Sequence, residues 1–174
     1  MSSIITVNGI APVIDSTVWL AQNATITGDT HIGAGSSIWF QVVIRGDVNK
    51  IRIGKNVNVQ DLSMIHGTKG RWDTIIGDNV SIGHRAIVHG CHIRENVLIG
   101  MGAIVLDDVE VPSNCIIAAG AVVTSGTKLE SGFIYAGVPA KKVKEIDPAQ
   151  SQLYIEGTAK AYMQYSKWYN QGTI

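Results

Sequence analysis

The chain has 174 residues, with 14 Lys and Arg balanced by 14 Asp and Glu. Zero formal charge offers no basic face for nucleic acid and no acidic tail, and the length suits one continuous core. The opening Met1-Ser2-Ser3-Ile4-Ile5 has no charged segment leading into a long apolar run, and no stretch approaches the roughly twenty apolar residues of a membrane span. A soluble, cytoplasmic protein with neither nucleic acid nor membrane as partner is expected.

From Leu20 onward a large aliphatic recurs at every sixth position, through Ile44, from Ile53 to Ile65, from Ile76 to Val88 and from Ile93 to Leu129. Glycine often follows it directly (Gly33, Gly54, Gly77, Gly83, Gly100), and a small or β-branched residue often sits four places on (Ala24, Val57, Val80, Ala86, Ala103). A helix needs apolar spacings of three and four and a strand needs alternation, so neither explains this period. A solenoid whose short strands turn a corner in each repeat does, with both recurrent residues filling its interior. At three repeats to a triangular coil, residues 1–140 are expected to form an all-β solenoid of about six coils, a parallel β-helix.

The period breaks in three places. Ile53 follows Ile44 by nine positions, with Arg45-Gly46-Asp47-Val48-Asn49-Lys50 in the inserted stretch, and Ile76 follows Ile65 by eleven, expelling the loop Gly67 to Asp73 just after His66. Ile93 follows Val88 by only five positions, a slip at His89-Gly90-Cys91. A purely structural solenoid has little reason to disturb its register around the same histidines. Rung counting puts Val88 one coil beyond Ile65, so His66 and His89, each one place after its rung, should lie about 4.8 Å apart, the spacing of neighbouring strands. Two imidazoles at that separation can reach one metal ion.

His84 follows Ile82 by two places and belongs to another face. It can join the pair only from a neighbouring copy, and cyclic threefold packing supplies that three times over. A homotrimer is therefore expected, each metal site combining His66 and His89 of one chain with His84 of the next. Three imidazoles with an open fourth position suit hydration or hydrolysis, because the ion lowers the pKa of a water held there. His31 and His92 read as ordinary turn histidines. Cys91 and Cys115, the only cysteines, are too few for a disulfide framework and read as reduced core or edge residues, ligation by Cys91 being the lesser alternative.

Residues 141–174 change character and are expected to form a helical tail packed on the solenoid. Asp147-Pro148 signals a helix start, Leu153, Tyr154, Ala161, Tyr162, Tyr165 and Trp168 supply an apolar stripe, and Gly157 should interrupt it, leaving a longer helix from about Thr158 to Asn170. Tyr162 and Tyr165 are candidates to line the substrate pocket, with core packing as the plainer role, and Trp39, Phe40 and Met163 read as interface packing.

Several separated motifs together resemble the gamma-class carbonic anhydrase family: Arg45-Gly46-Asp47, Asn58-Val59-Gln60-Asp61, His66, Gly83-His84 through His89-Gly90-Cys91, and Leu98-Ile99-Gly100-Met101-Gly102-Ala103. The likeness runs from about Ile14 to Tyr135-Ala136-Gly137-Val138-Pro139-Ala140-Lys141. It implies a left-handed helix and reversible hydration of carbon dioxide to bicarbonate by a metal-bound hydroxide, with zinc, or iron(II) or cobalt in its place, since imidazole suits all three. It further implies that Gln60 orients the hydroxide, that Asn58 orients Gln60, and that Arg45 pairs with Asp61 or Asp47, within the chain or across the subunit boundary. A plain interface ion network is the alternative for that charged group. The resemblance departs at the loop after His66, where an acidic proton-relaying loop is replaced by Gly67-Thr68-Lys69-Gly70-Arg71-Trp72-Asp73 with one carboxylate, and at Val48, where a second acid is expected. Slow turnover supported by buffer follows. Other functions compatible with the pattern are a coenzyme A-dependent hexapeptide acyltransferase, a metal-dependent thioesterase, and a metal-binding trimer without catalysis.

Overall fold

The computed structural model describes residues 2–169. The rung aliphatics turn inward and stack in parallel register: Ile26, Ile44, Ile65, Val88, Val105 and Val123 line one face. Ile32, Ile53, Ile76, Ile93 and Val111 line the second. These residues are buried, and each contributes on the order of 1.5–3 kcal/mol of apolar burial. The result is a left-handed parallel β-helix. The third face counts seven layers, Leu20, Ile38, Val59, Ile82, Ile99, Ile117 and Tyr135. The stack is thus about one turn taller than the six-residue period alone indicates, because Ile4 pairs over Ile26 and Ile14 over Ile32 at one end while Tyr135 extends the other.

Corners repeat as regularly as rungs. The third residue after each rung of the second face is Gly35, Asn56, Asn79, Asn96 or Asn114, with φ between 55° and 70°; glycine and asparagine tolerate this left-handed region best. The Asn56 Nδ2 donates to Asn79 Oδ1 and Asn79 Nδ2 to Asn96 Oδ1, both at 3.2 Å, so the corner is laced along the stack. The insertion after Ile44 is absorbed in one 11-residue strand, Val43–Ile53, that runs across an edge and fuses two faces into an 11-stranded sheet, leaving the third as an 8-stranded sheet.

The tail differs from expectation in three respects. Its first residues are not helical: Lys141–Glu145 is a strand antiparallel to Phe133–Ala136. The last layer of the third face would otherwise expose an unpaired backbone edge, and a lysine-rich strand covers it while resisting further pairing. The helix then begins as the sequence indicates, with an Asp147 and Gln150 capping box and Pro148 at its start. Gly157, however, does not interrupt it. Ser151–Glu156 widens into a π turn in which the Gly157 N–H reaches Gln152 O, and Gly157–Tyr169 continues as α-helix. A Cβ at 157 would lie 3.1 Å from that oxygen, so glycine permits the widened turn. The turn also shifts the helical register: Ile155 and Ala159 are buried and Tyr162 is half-buried, whereas Leu153, Tyr154, Tyr165 and Trp168 of the expected stripe are exposed. The expected end near Asn170 lies outside the described residues, as does Met1. No helix among the described residues is long and apolar enough to cross a membrane.

Candidate metal centre

His66 and His89 are register partners on adjacent parallel strands, Met64–His66 and Ile87–His89. Their ring centroids lie 5.1 Å apart, and His66 Nδ1 faces His89 Nε2 at 3.1 Å. The outer nitrogen of each ring meets a carboxylate: His66 Nε2 lies 3.0 Å from Asp47 Oδ1, and His89 Nδ1 lies 2.6 Å from Asp107 Oδ1. An ionised carboxylate only accepts, and it lies nearer His66 Nε2 than the Arg45 Nη2 that stands 3.3 Å from the same nitrogen, so we assign the N–H of each ring to its outer nitrogen; in neutral rings the two inner nitrogens then present lone pairs to each other. Facing lone pairs repel unless a proton or cation lies between them. Two tetrahedral ligands with metal–nitrogen bonds of about 2.0–2.1 Å place their nitrogens roughly 3.3 Å apart. The donor set therefore fits a divalent ion.

His84 stands apart, at the corner after Ser81–Ile82 on the third face. It repeats the same pattern, its Nδ1 lying 2.8 Å from Asp61 Oδ2 and its Nε2 3.2 Å from the Tyr162 hydroxyl. Burial, then the neighbouring Asp61 and Tyr165, push the Tyr162 phenol up to about 12, so it stays protonated and able to donate. Among the described residues no three His, Cys, Asp or Glu side chains come together as a ligand set. Cys91 and Cys115 are buried and free; Cys91 packs among the core aliphatics, and burial pushes its thiol up to about 12.

The remaining candidates divide between the two places. Arg45 pairs within the chain with Asp47, its Nη2 at 3.0 Å and its Nε at 3.1 Å from Oδ2. Burial opposes ionisation of Asp47, but the hydrogen bonds from His66 and Arg45 outweigh it and hold the carboxyl below the usual range. Asp61 is taken instead by His84 and by the Phe40 backbone N–H. Asn58 Nδ2 donates to Ser81 Oγ at 2.7 Å, and Gln60 Nε2 donates to Asn58 Oδ1 at 3.0 Å. That chain of bonds fixes the amide orientation and leaves Gln60 Oε1 available as an acceptor.

Gln60, His84 and Tyr162 stand at the head of a cleft of about 450 Å3 between the third face and the C-terminal helix. Its length is apolar, lined by Leu98, Ile116, Ile134, Met101 and Tyr154. Tyr165 lies in an adjoining aromatic cavity with Trp39, Phe40, Tyr162 and Trp168, which also touches His84. Trp39, expected at an interface, is buried within the chain against Trp19, Phe40 and Tyr162. The histidines read as ordinary have partners, His31 near Asp29 at 3.7 Å and His92 on Asp73 at 2.7 Å.

Two contributors are not evident in the sequence pattern, Asp107 behind His89 and Thr68 behind Asp107, and a third, Ser81, stands behind Asn58. Ser81 had a signal, because it occupies the position of Asn58 one coil later.

Comparison with known proteins agrees with this architecture. The family described as bacterial transferase hexapeptide (six repeats) matches residues 90–125. A carbonic anhydrase of Geobacillus kaustophilus is 39% identical over 161 residues, covering 92% of this chain and 87% of that protein. The mitochondrial gamma carbonic anhydrase 1 of Arabidopsis thaliana is 42% identical over 141 residues, 78% of this chain; the chain spans about half (51%) of that relative's length. The crystal structure of a hexapeptide transferase family protein from Anaplasma phagocytophilum superposes with a TM-score of 0.91 at 38% identity, covering 96% of this chain and 98% of that one.

Proposed function

The chain belongs to the gamma carbonic anhydrase family of hexapeptide-repeat proteins, and from that premise we propose that it hydrates carbon dioxide reversibly at a metal site shared between the subunits of a homotrimer. The observation that carries the proposal is the facing pair His66 Nδ1 and His89 Nε2 at 3.1 Å, each ring backed by its own carboxylate. His66, His89 and the neighbouring subunit's copy of His84 would hold zinc, or iron(II) or cobalt, all of which accept imidazole. When bound, such an ion supplies a water acidified toward neutral pH.

The chain's own residues supply the rest. Asp47, Asp107 and Asp61 each hold one ring nitrogen of His66, His89 and His84 and so fix the orientation of each ring. Gln60, locked by Asn58 and Ser81, offers Oε1 to the proton of the reacting water and so aims its lone pair at the substrate carbon. Arg45 neutralises Asp47 and keeps that carboxylate on His66. Leu153, Tyr154, Tyr165 and Trp168, exposed on the single chain, supply apolar area for the neighbouring subunit. Buried free thiols at Cys91 and Cys115 accord with a reducing, cytoplasmic setting.

The test is stopped-flow hydration of carbon dioxide on anaerobically prepared protein, with metal content measured on the same sample. Hydration should follow metal content and rise with buffer concentration, because the Gly67 to Asp73 loop carries a single carboxylate and that one is engaged by His92 and Lys50. A fast rate indifferent to buffer would contradict the missing relay. Gln60→Ala should lower kcat by about 10²-fold or more, the usual loss for an orienting donor or acceptor, while metal content stays near wild type; parallel loss of both would make Gln60 structural.

A second reading is favoured by the apolar cleft. Carbon dioxide fills a small part of about 450 Å3, whereas the acyl group of an ester or thioester would occupy its length with the carbonyl near Gln60 and His84. Metal present without hydration would move the assignment to that hydrolysis.

A further inference from the structure

Resting on the metal reading above, we propose that Asp107 is a positioning residue that couples metal loading at His89 to ordering of the Gly67 to Asp73 loop. Its two oxygens are divided between the two tasks. Oδ1 holds His89 Nδ1 at 2.6 Å, and Oδ2 accepts from Thr68 Oγ1 at 2.8 Å. Gly90 makes room for this bridge: a Cβ there would collide with Asp107 Oδ1, and the residue sits at φ 56° where the corner is one residue short.

Thr68 is in turn the anchor of the loop. Asn49 Nδ2 donates to its carbonyl at 3.1 Å, its N–H reaches Trp72 O at 2.9 Å, and Arg71 N–H returns to its carbonyl at 3.1 Å. The far end is fastened separately, where Asp73 meets His92 at 2.7 Å and Lys50 at 3.2 Å. Burial opposes ionisation of Asp73, yet these two partners outweigh it and keep the carboxyl below its ordinary range. Breaking the Thr68 hydroxyl bond therefore removes the side-chain tie between the near half of the loop and Asp107 and, in the same event, the bond that stops the Asp107 carboxylate from rotating away from His89. Conversely, an ion on His89 Nε2 makes the ring's Nδ1–H a stronger donor to Asp107 and draws the bridge tight. Coupling of this kind is reciprocal: whatever the closed loop adds to metal affinity, the metal adds to loop closure.

The experiment measures zinc affinity by chelator competition and amide exchange over residues 67–73, with and without zinc, in wild type, Thr68→Val, Thr68→Ser and Asp107→Ala. In wild type zinc should slow exchange in the loop. Thr68→Val should weaken zinc roughly five-fold or more and abolish its effect on the loop, although every proposed ligand is intact. Thr68→Ser, which keeps the hydroxyl, should restore both. Asp107→Ala should weaken zinc roughly 10–100-fold, the usual loss for a partner behind a ligating histidine. Thr68→Val with wild-type zinc affinity and a loop that still responds to zinc would overturn the coupling. A wild-type protein that binds no zinc, iron(II) or cobalt would overturn the metal reading itself, a separate and recognisable result.

Discussion

Alanine at His66, His84 or His89 is expected to abolish stoichiometric metal while leaving the β-helix folded. All three side chains are partly exposed, at 19%, 39% and 29%, and lie outside the stacked aliphatics, so removing one leaves the core untouched and should cost about 1 kcal/mol for the hydrogen bond lost to its carboxylate. Its effect on the ion is far larger. Apparent binding free energies of zinc sites run at about 10–16 kcal/mol, and losing one of three protein ligands forfeits on the order of a third, or roughly 10²- to 10⁴-fold in affinity. Metal content after dialysis, together with a circular dichroism melt, separates the two effects. Stoichiometric metal in two of the three variants would mean that the site lies elsewhere.

The pair at the centre of that prediction was legible because register in a solenoid is countable. His66 and His89 each follow a rung by one place, and Ile65 and Val88 are paired rungs, so the stacking of the rings follows from the period. By the same count Asp61 follows Val59 by two places and His84 follows Ile82 by two, with Val59 and Ile82 paired; their 2.8 Å contact was there to be read. The resemblance left Arg45 either Asp61 or Asp47; within the chain it takes Asp47, because register commits Asp61 to His84. Asp107 was less accessible. The five-residue spacing at His89 shortens one corner relative to the next, so counting from Val105 does not place Asp107 opposite His89, and only the folded corner at Gly90 brings them together. The helix stripe was misplaced for a similar reason, since one widened turn at Ser151–Glu156 rotates every residue after it. The first coil was hidden because Ile14 follows Ile4 by ten positions rather than six, and the excess folds into a tight Val7 to Ile10 turn.

Mixing two inactive variants is expected to regenerate activity, and the amount can be stated. If each site takes His66 and His89 from one chain and His84 from the next, a site is intact only when a His84→Ala chain supplies the pair and a His66→Ala chain supplies the third ligand. In freely exchanged equal mixtures that happens with probability one half times one half, so about a quarter of wild-type activity should return. His66→Ala mixed with His89→Ala provides the control, because both lesions fall on the same side of the boundary and no combination yields an intact pair. The geometry behind the asymmetry is direct: His66 and His89 face each other at 3.1 Å within the chain, whereas His84 stands on another face with its Nε2 held by Tyr162. Recovery in the first mixture and none in the second requires a site divided between subunits in this manner. No recovery in either, after subunit exchange is demonstrated by mass with one variant isotopically labelled, would place all ligands on one chain, and equal recovery in both would reassign which histidines belong together.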